Sequence, residues 1–283
     1  MKTPITAIVL ALALAACGPS ASATSSEAST GGETTRSVGS AEHPHTARVE
    51  PSAAVLAAIG AADRTAEDRA LDAGRQPEQV LTFFRIAEGQ RVVELFAGGG
   101  YTAELLARVV GPTGQVYAQN SAWVLDRFAR APLAARLERL AMPNVIAVER
   151  ELGSPIPEDA RDLDAVLFVL AYHDSVWMQT DRAAMNRAIF EALRPGGVYG
   201  IVDHAAAAGH GVADVQTLHR IERETLIAEV LAAGFVLEEE LEALRTESDT
   251  HDWNASPREA GERRGTSDRF VLRFVRPLAA GAR

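Results

Sequence analysis

From residue 91 onward the chain alternates between two hydrophobic periods. Short β-branched and apolar runs at Arg91–Phe96, Gln115–Gln119, Asn144–Val148, Ala165–Leu170 and Val198–Val202 predict buried strands. Between and after them, apolar residues recur at three- and four-residue spacing, predicting helices near 101–110, 121–141, 177–193 and 222–233. This order is that of a parallel sheet covered by helices on both faces. The last two runs, Phe235–Leu241 and Arg269–Val275, lack a convincing intervening helix and predict an antiparallel hairpin at the sheet edge. A helical region is expected over Ser52–Phe84. The fold class is therefore α/β, in three layers, with a mostly parallel seven-stranded sheet and a C-terminal antiparallel hairpin. Residues 51–283 suit one such domain, and there is no internal repeat.

The pattern ahead of that domain is different. Lys2 precedes an apolar run at 5–16 that ends Leu14-Ala15-Ala16 before Cys17. The run is short of the roughly 20 residues that a membrane-spanning helix needs, and small residues precede the cysteine. Residues 1–16 are expected to be a lipoprotein signal peptide, with cleavage before Cys17 and lipidation of its thiol. Residues 17–50 are rich in Ser, Thr, Ala, Gly and Glu and are expected to form a disordered linker, its His43 and His45 solvated. The expected location is exported and membrane-anchored, facing the periplasm if the cell envelope is Gram-negative.

Composition narrows the chemistry. Lys2 is the only lysine and Cys17 the only cysteine, so a processed, lipidated chain has neither an amine side chain nor a free thiol. Schiff-base catalysis, pyridoxal attachment, a phosphate-loop lysine and a cysteine nucleophile are excluded. Disulfides and cysteine-ligated zinc go with them. The net charge of −10 argues against a nucleic-acid face.

The most informative stretch is Glu94-Leu-Phe-Ala-Gly98-Gly99-Gly100 followed by Tyr101-Thr102 and a helical pattern. An acid at the end of a buried strand, then three glycines opening a helix, suits a nucleotide cofactor: glycine tolerates positive φ and close approach, and the helix offers free N–H groups. Leu193-Arg-Pro-Gly-Gly197 precedes a strand, and Tyr172-His-Asp174, Asp203-His-Ala205 and Leu218-His-Arg220 complete the set. Together these resemble a class I S-adenosylmethionine-dependent methyltransferase, and more closely an exported bacterial group of predicted methyltransferases. The resemblance implies a Rossmann-like methyltransferase sandwich over nearly all of 51–283, with S-adenosylmethionine as cofactor and a small-molecule or envelope-associated acceptor. Gly98-x-Gly100-x-x-Ala103 also satisfies a dinucleotide-binding spacing, but Glu94, Leu-Arg-Pro-Gly-Gly and the terminal hairpin favour the methyltransferase reading.

The resemblance further implies roles. Glu94 would organise the methionine amino group, and Gly98 and Gly100, with Gly99 between, would let the cofactor cross the turn. Phe96 stands where most of the family has its first glycine. Asn120 stands 20 positions past Gly100, where a ribose-binding carboxylate is common, and would contact the ribose without the charge-assisted bond. Glu151 matches an acid near the adenine amine. In-line methyl transfer needs alignment and, for a poor nucleophile, a base. His173 is the first choice, with Asp174 or Asp203 orienting it or acting instead.

His210 and His219, with His173, Asp203 and His204, have the residue types to converge on a cation, but the spacing lacks a same-face ligand pair and no metal ligand is assigned. Trp123, Trp177 and Trp253 suit either a pocket or packing. The competing function is an exported lipoprotein that keeps the methyltransferase fold and binds a small molecule or a metal.

Overall fold

The structure, a computed structural model, describes residues 50–278. The expected signal peptide, Cys17, His43 and His45 lie outside the described residues. Within them the elements run α1 (Ala53–Gly60), α2 (Ala66–Arg75), α3 (Pro77–Phe83), β1 (Arg91–Leu95), α4 (Tyr101–Val110), β2 (Gln115–Asn120), α5 (Ala122–Val124), α6 (Arg130–Leu140), β3 (Val145–Glu149) and β4 (Leu163–Val169). They continue with α7 (Asp174–Trp177), α8 (Arg182–Ala192), β5 (Leu193–His204), α9 (Val215–Leu218), α10 (Arg223–Ala232), β6 (Val236–Glu240) and β7 (Arg269–Val275).

The seven strands form one sheet in the order β3-β2-β1-β4-β5-β7-β6. All pairings among β1 to β5 are parallel, and β7 lies antiparallel between β5 and β6. The central strands are apolar because both faces are covered: Val92, Val93 and Leu95 of β1, and Ala165, Val166, Leu167 and Phe168 of β4, have no exposed surface. One core lies on each side. Tyr117, Phe168, Tyr199 and Phe274 pack with α8 and α10, while Val92, Leu106, Val109 and Val198 pack with α1, α3 and α4.

Three local features depart from the sequence expectation. The helix expected over 121–141 is interrupted by a π-helical turn, Leu125–Ala129, where Arg130 N–H bonds Leu125 O. Pro132 explains the interruption: it has no N–H for the Phe128 carbonyl, and its ring crowds that turn. The helix expected over 177–193 begins only at Arg182, where Asp181 caps its start by accepting from Ala184 N–H at 2.9 Å, and Trp177 instead ends the short α7. Leu193-Arg-Pro-Gly-Gly197 does not precede β5 but forms its irregular first part, with Gly196 at φ +79°.

Strand order reverses direction across β1 and β4, β2 lying on one side and β5 on the other. In open α/β sheets the crevice beyond the carboxyl ends at such a switch point is the usual ligand site. The predicted cofactor and catalytic residues sit at these strand ends: Glu94 and the glycine turn after β1, Asn120 at the end of β2, Glu151 after β3, His173 and Asp174 after β4, and Asp203 near the end of β5.

Candidate active site

The turn after β1 is built of three unlike glycines. Gly98 and Gly100 take positive φ, +55° and +85°, and Gly99 does not. A Cβ on Gly98 would meet no atom within 4 Å, whereas one on Gly100 would lie 2.8 Å from Leu133 Cδ1 and 3.1 Å from Arg136 Cδ. Gly98 therefore faces open space, and Gly100 is small because α6 packs against it. Packing against α6 thus gives Gly100 a structural reason to be glycine. Gly100→Ala is expected to destabilise the fold by about 1–3 kcal/mol through overpacking and left-handed strain, and Gly98→Ala by only about 1 kcal/mol through strain. Denaturant midpoints of the two variants check this; equal losses would refute the division.

Behind the turn, Arg136 donates through Nε to the Gly99 carbonyl at 2.7 Å and through both Nη atoms to Asp68 at 2.6 and 2.8 Å, and also pairs with Glu104. One α6 side chain thus fixes the turn to α2 and α4. Phe96 takes a left-handed backbone, φ +50°, and its N–H donates to Gln119 Oε1 at 3.1 Å. Its ring packs edge-on against Phe168 at 6.0 Å.

Glu94 is 3% exposed. It accepts from the Thr102 hydroxyl and the Ala103 N–H, while its Oε2 is buried with no hydrogen-bond partner among the described residues. Burial pushes its carboxyl up to about 8, against the pull of those bonds and of Arg75. Arg75, at the end of α2, lies over the Tyr101 ring at 4.5 Å and makes no hydrogen bond among the described residues. The Arg75 guanidinium favours the ionised form of this carboxyl, and the strand that carries Glu94 leads into the turn whose Gly98 faces open space. Buried polar groups are normally satisfied, so the orphaned oxygen calls for a partner. Arg75 was not predicted; it sits in an N-terminal helix with no motif around it.

Asn120 is fully buried and faces the turn. Its Oδ1 accepts from Gly98 N–H at 2.9 Å and its Nδ2 donates to Gly98 O at 3.3 Å. Both ends of the amide bond the Gly98 backbone, so Asn120 shapes the cradle, and its second N–H remains for a further acceptor. The Glu151 carboxylate accepts from Ala122 N–H at 3.3 Å and is otherwise exposed.

At the ends of β4 and β5, Asp203 has no exposed surface and accepts from His173 N–H at 2.7 Å, from His204 N–H at 2.8 Å and, through Oδ1, faces His173 Nδ1 at 2.7 Å. His173 Nε2 then points at His219 Nδ1, 3.2 Å away, and at Asp174 Oδ1, 3.3 Å away. Burial opposes a charge on His173, but the carboxylates of Asp203 and Asp174 outweigh it and push the imidazole up to about 9. His219 caps α9 in a left-handed conformation, φ +53°, and its pKa is lowered by burial and by His173. Trp177 Nε1 donates to Asp174 Oδ1 at 2.8 Å, and Trp123 packs edge-on against Trp177 at 5.1 Å.

The remaining candidates separate from this cluster. His204 turns to Ser267 Oγ at 2.7 Å, and burial holds it well below the usual imidazole range. His210 pairs with Asp214 on an exposed loop at 2.7 Å. Trp253 lies under the buried Arg220 at 4.7 Å and donates to Asp249, a structural network.

The chain matches no protein-family model. Solved structures share the architecture. A SAM-dependent methyltransferase from Aquifex aeolicus is similar with a TM-score of 0.51 and 17% identity, over 74% of this chain and 97% of that one. A putative sarcosine dimethylglycine methyltransferase from Galdieria sulphuraria gives 0.56 and 16%, over 75% and 88%. The [4+2]-cyclase SpnF gives 0.52 and 17%, over 73% and 82%. At these identities the shared property is the fold, a Rossmann-like methyltransferase architecture, and fold alone does not fix the reaction.

Proposed function

We propose that the protein is an S-adenosylmethionine-dependent methyltransferase acting on a small or envelope-associated acceptor, exported and tethered through Cys17. The observation that carries the reading is the buried, unpartnered Glu94 oxygen, on which the Arg75 charge acts, at the end of the strand that leads into the open Gly98 turn. An amino-acid zwitterion complements that pair, its ammonium meeting Glu94 and its carboxylate Arg75. S-adenosylmethionine supplies such a zwitterion together with an electrophilic methyl group. Gly98 lets the ligand approach the backbone, Asn120 holds the Gly98 peptide in place, and Glu151 supplies an acid beyond β3. His173, oriented through Nδ1 by Asp203, presents Nε2 for moving the acceptor's proton. The tether reading is supported by Lys2, the apolar run at 5–16 and the small residues before Cys17. Membrane fractionation checks it: Cys17→Ser should release the protein.

Calorimetric titration with S-adenosylmethionine and S-adenosylhomocysteine tests the cofactor reading. Micromolar binding, about −8 kcal/mol, is expected for the purified protein. Gly98→Leu should abolish it while leaving the fold intact, because the new side chain enters open space and not the core. Unchanged binding in Gly98→Leu, or none in the folded parent, would sink the reading and leave the small-molecule-binding lipoprotein in its place.

A further inference from the structure

The acceptor-side cluster contains more than an oriented imidazole. His173 Nε2, His219 Nδ1 and Asp174 Oδ1 form a triangle with sides of 3.2, 3.3 and 3.7 Å. Three ligand atoms on a tetrahedral ion with bonds of about 2.0–2.1 Å stand roughly 3.3–3.4 Å apart. Cis ligands on an octahedral ion with similar bonds would stand nearer, at about 3.0 Å. We infer that His173, Asp174 and His219 form a divalent-cation site of the zinc type, with a fourth position left open.

The surroundings are those of a built site. His173 is 2% exposed, and its Nδ1 is held by the fully buried Asp203, the carboxylate–histidine arrangement that fixes a ligand's tautomer and aim. Asp174 is held by the Trp177 indole N–H. His219 adopts its left-handed backbone at the point where its ring reaches the triangle. The three residues come from the β4–α7 turn and from the end of α9, so the fold, and not one helix face, brings them together. Two imidazoles and one carboxylate suit zinc far better than calcium or magnesium, which prefer all-oxygen sets. Neither His204 nor His210 belongs to the site, since each is turned to another partner.

The site stands on this geometry alone. Only its use rests on the methyl-transfer reading: the open position takes an oxygen of the acceptor, and the cation lowers the pKa of a bound hydroxyl so that its proton passes to solvent. The cation then performs the task otherwise left to a free imidazole.

Titrating the full-length protein with Co2+ and following its visible absorption tests the site without any cofactor present. A single equivalent with the intense spectrum of tetrahedral cobalt, displaced by Zn2+, is expected. His219→Asn, which keeps a residue tolerant of the left-handed backbone but removes the imidazole, should abolish that spectrum. Asp203→Asn should weaken binding by about 10–100-fold. A His43→Ala, His45→Ala double variant should bind unchanged. A folded parent without the tetrahedral spectrum, an unaltered spectrum in His219→Asn, or loss in the double variant would overturn the inference. Calorimetry with S-adenosylmethionine on the same chelator-treated sample separates a failed metal site from a failed cofactor site.

Discussion

Glu94→Gln is expected to stabilise the ligand-free protein while weakening its hold on S-adenosylmethionine. In the unfolded chain this carboxyl ionises near 4.5; in the fold, burial delays ionisation to about 8. Because the folded pKa is raised, the stability cost is absent below pH 4.5, grows as pH rises, and is complete above 8. At pH 7 it amounts to as much as about 3 kcal/mol. Glutamine keeps the acceptor for Thr102 and Ala103 and carries no charge, so the thermal midpoint should rise by about 5–10 °C for a domain of this size. The same change removes a charge-assisted bond to the ligand ammonium, weakening binding by roughly 10–100-fold. The parent's affinity should also climb as pH approaches 8, since binding ionises Glu94, and the variant's should stay flat. Thermal unfolding and calorimetry at pH 6 to 9 read both effects. A variant that is no more stable, or that binds as well, would remove Glu94 from the cradle.

His173→Ala carries the largest expected loss of activity. On the proposed function this variant loses the imidazole at the acceptor side, and with it one ligand of the inferred cation site, so turnover should fall by about 10²–10⁴-fold, measured as methyl label transferred from S-adenosylmethionine to an acceptor. Cofactor affinity should change less than about threefold, because neither Glu94 nor the glycine turn hydrogen-bonds to His173, whose ring partners are Asp203, Asp174 and His219. A parallel loss of cofactor binding would mark the change as structural.

Much of this was legible in the chain. Buried parallel strands are the easiest elements to read, because Arg91–Phe96 and Ala165–Leu170 carry continuous apolar runs, and both appear within one or two residues of their expected limits. The hairpin of Val236–Glu240 and Arg269–Val275 was visible because no helical spacing separates them. What escaped depends on atoms meeting across the fold. His173 and His219 are 46 positions apart, and nothing in Leu218-His-Arg220 says where the ring points. Arg75 is one of many arginines until α2 places it beside Glu94. Asn120 has a further task that its sequence position did not suggest: its amide bonds both the N–H and the C=O of Gly98, a contact that only the folded turn reveals. The three glycines likewise read as one motif although their neighbours give them separate tasks.

The place of the last strand has a consequence for biosynthesis. β7 is seventh in sequence but lies between β5 and β6, pairing Phe270 with Asp203 and Arg269 with His204. During vectorial synthesis, residues 193–240 are therefore complete before the strand that joins them exists, and β5 and β6 wait with unsatisfied edges. A truncation before Arg269 would open the edge of β5, which β7 covers in the finished sheet, and would leave β6 with no strand to pair with. Nonsense or proteolytic loss of the chain from Arg269 onward should thus yield an aggregating chain and not a smaller working one.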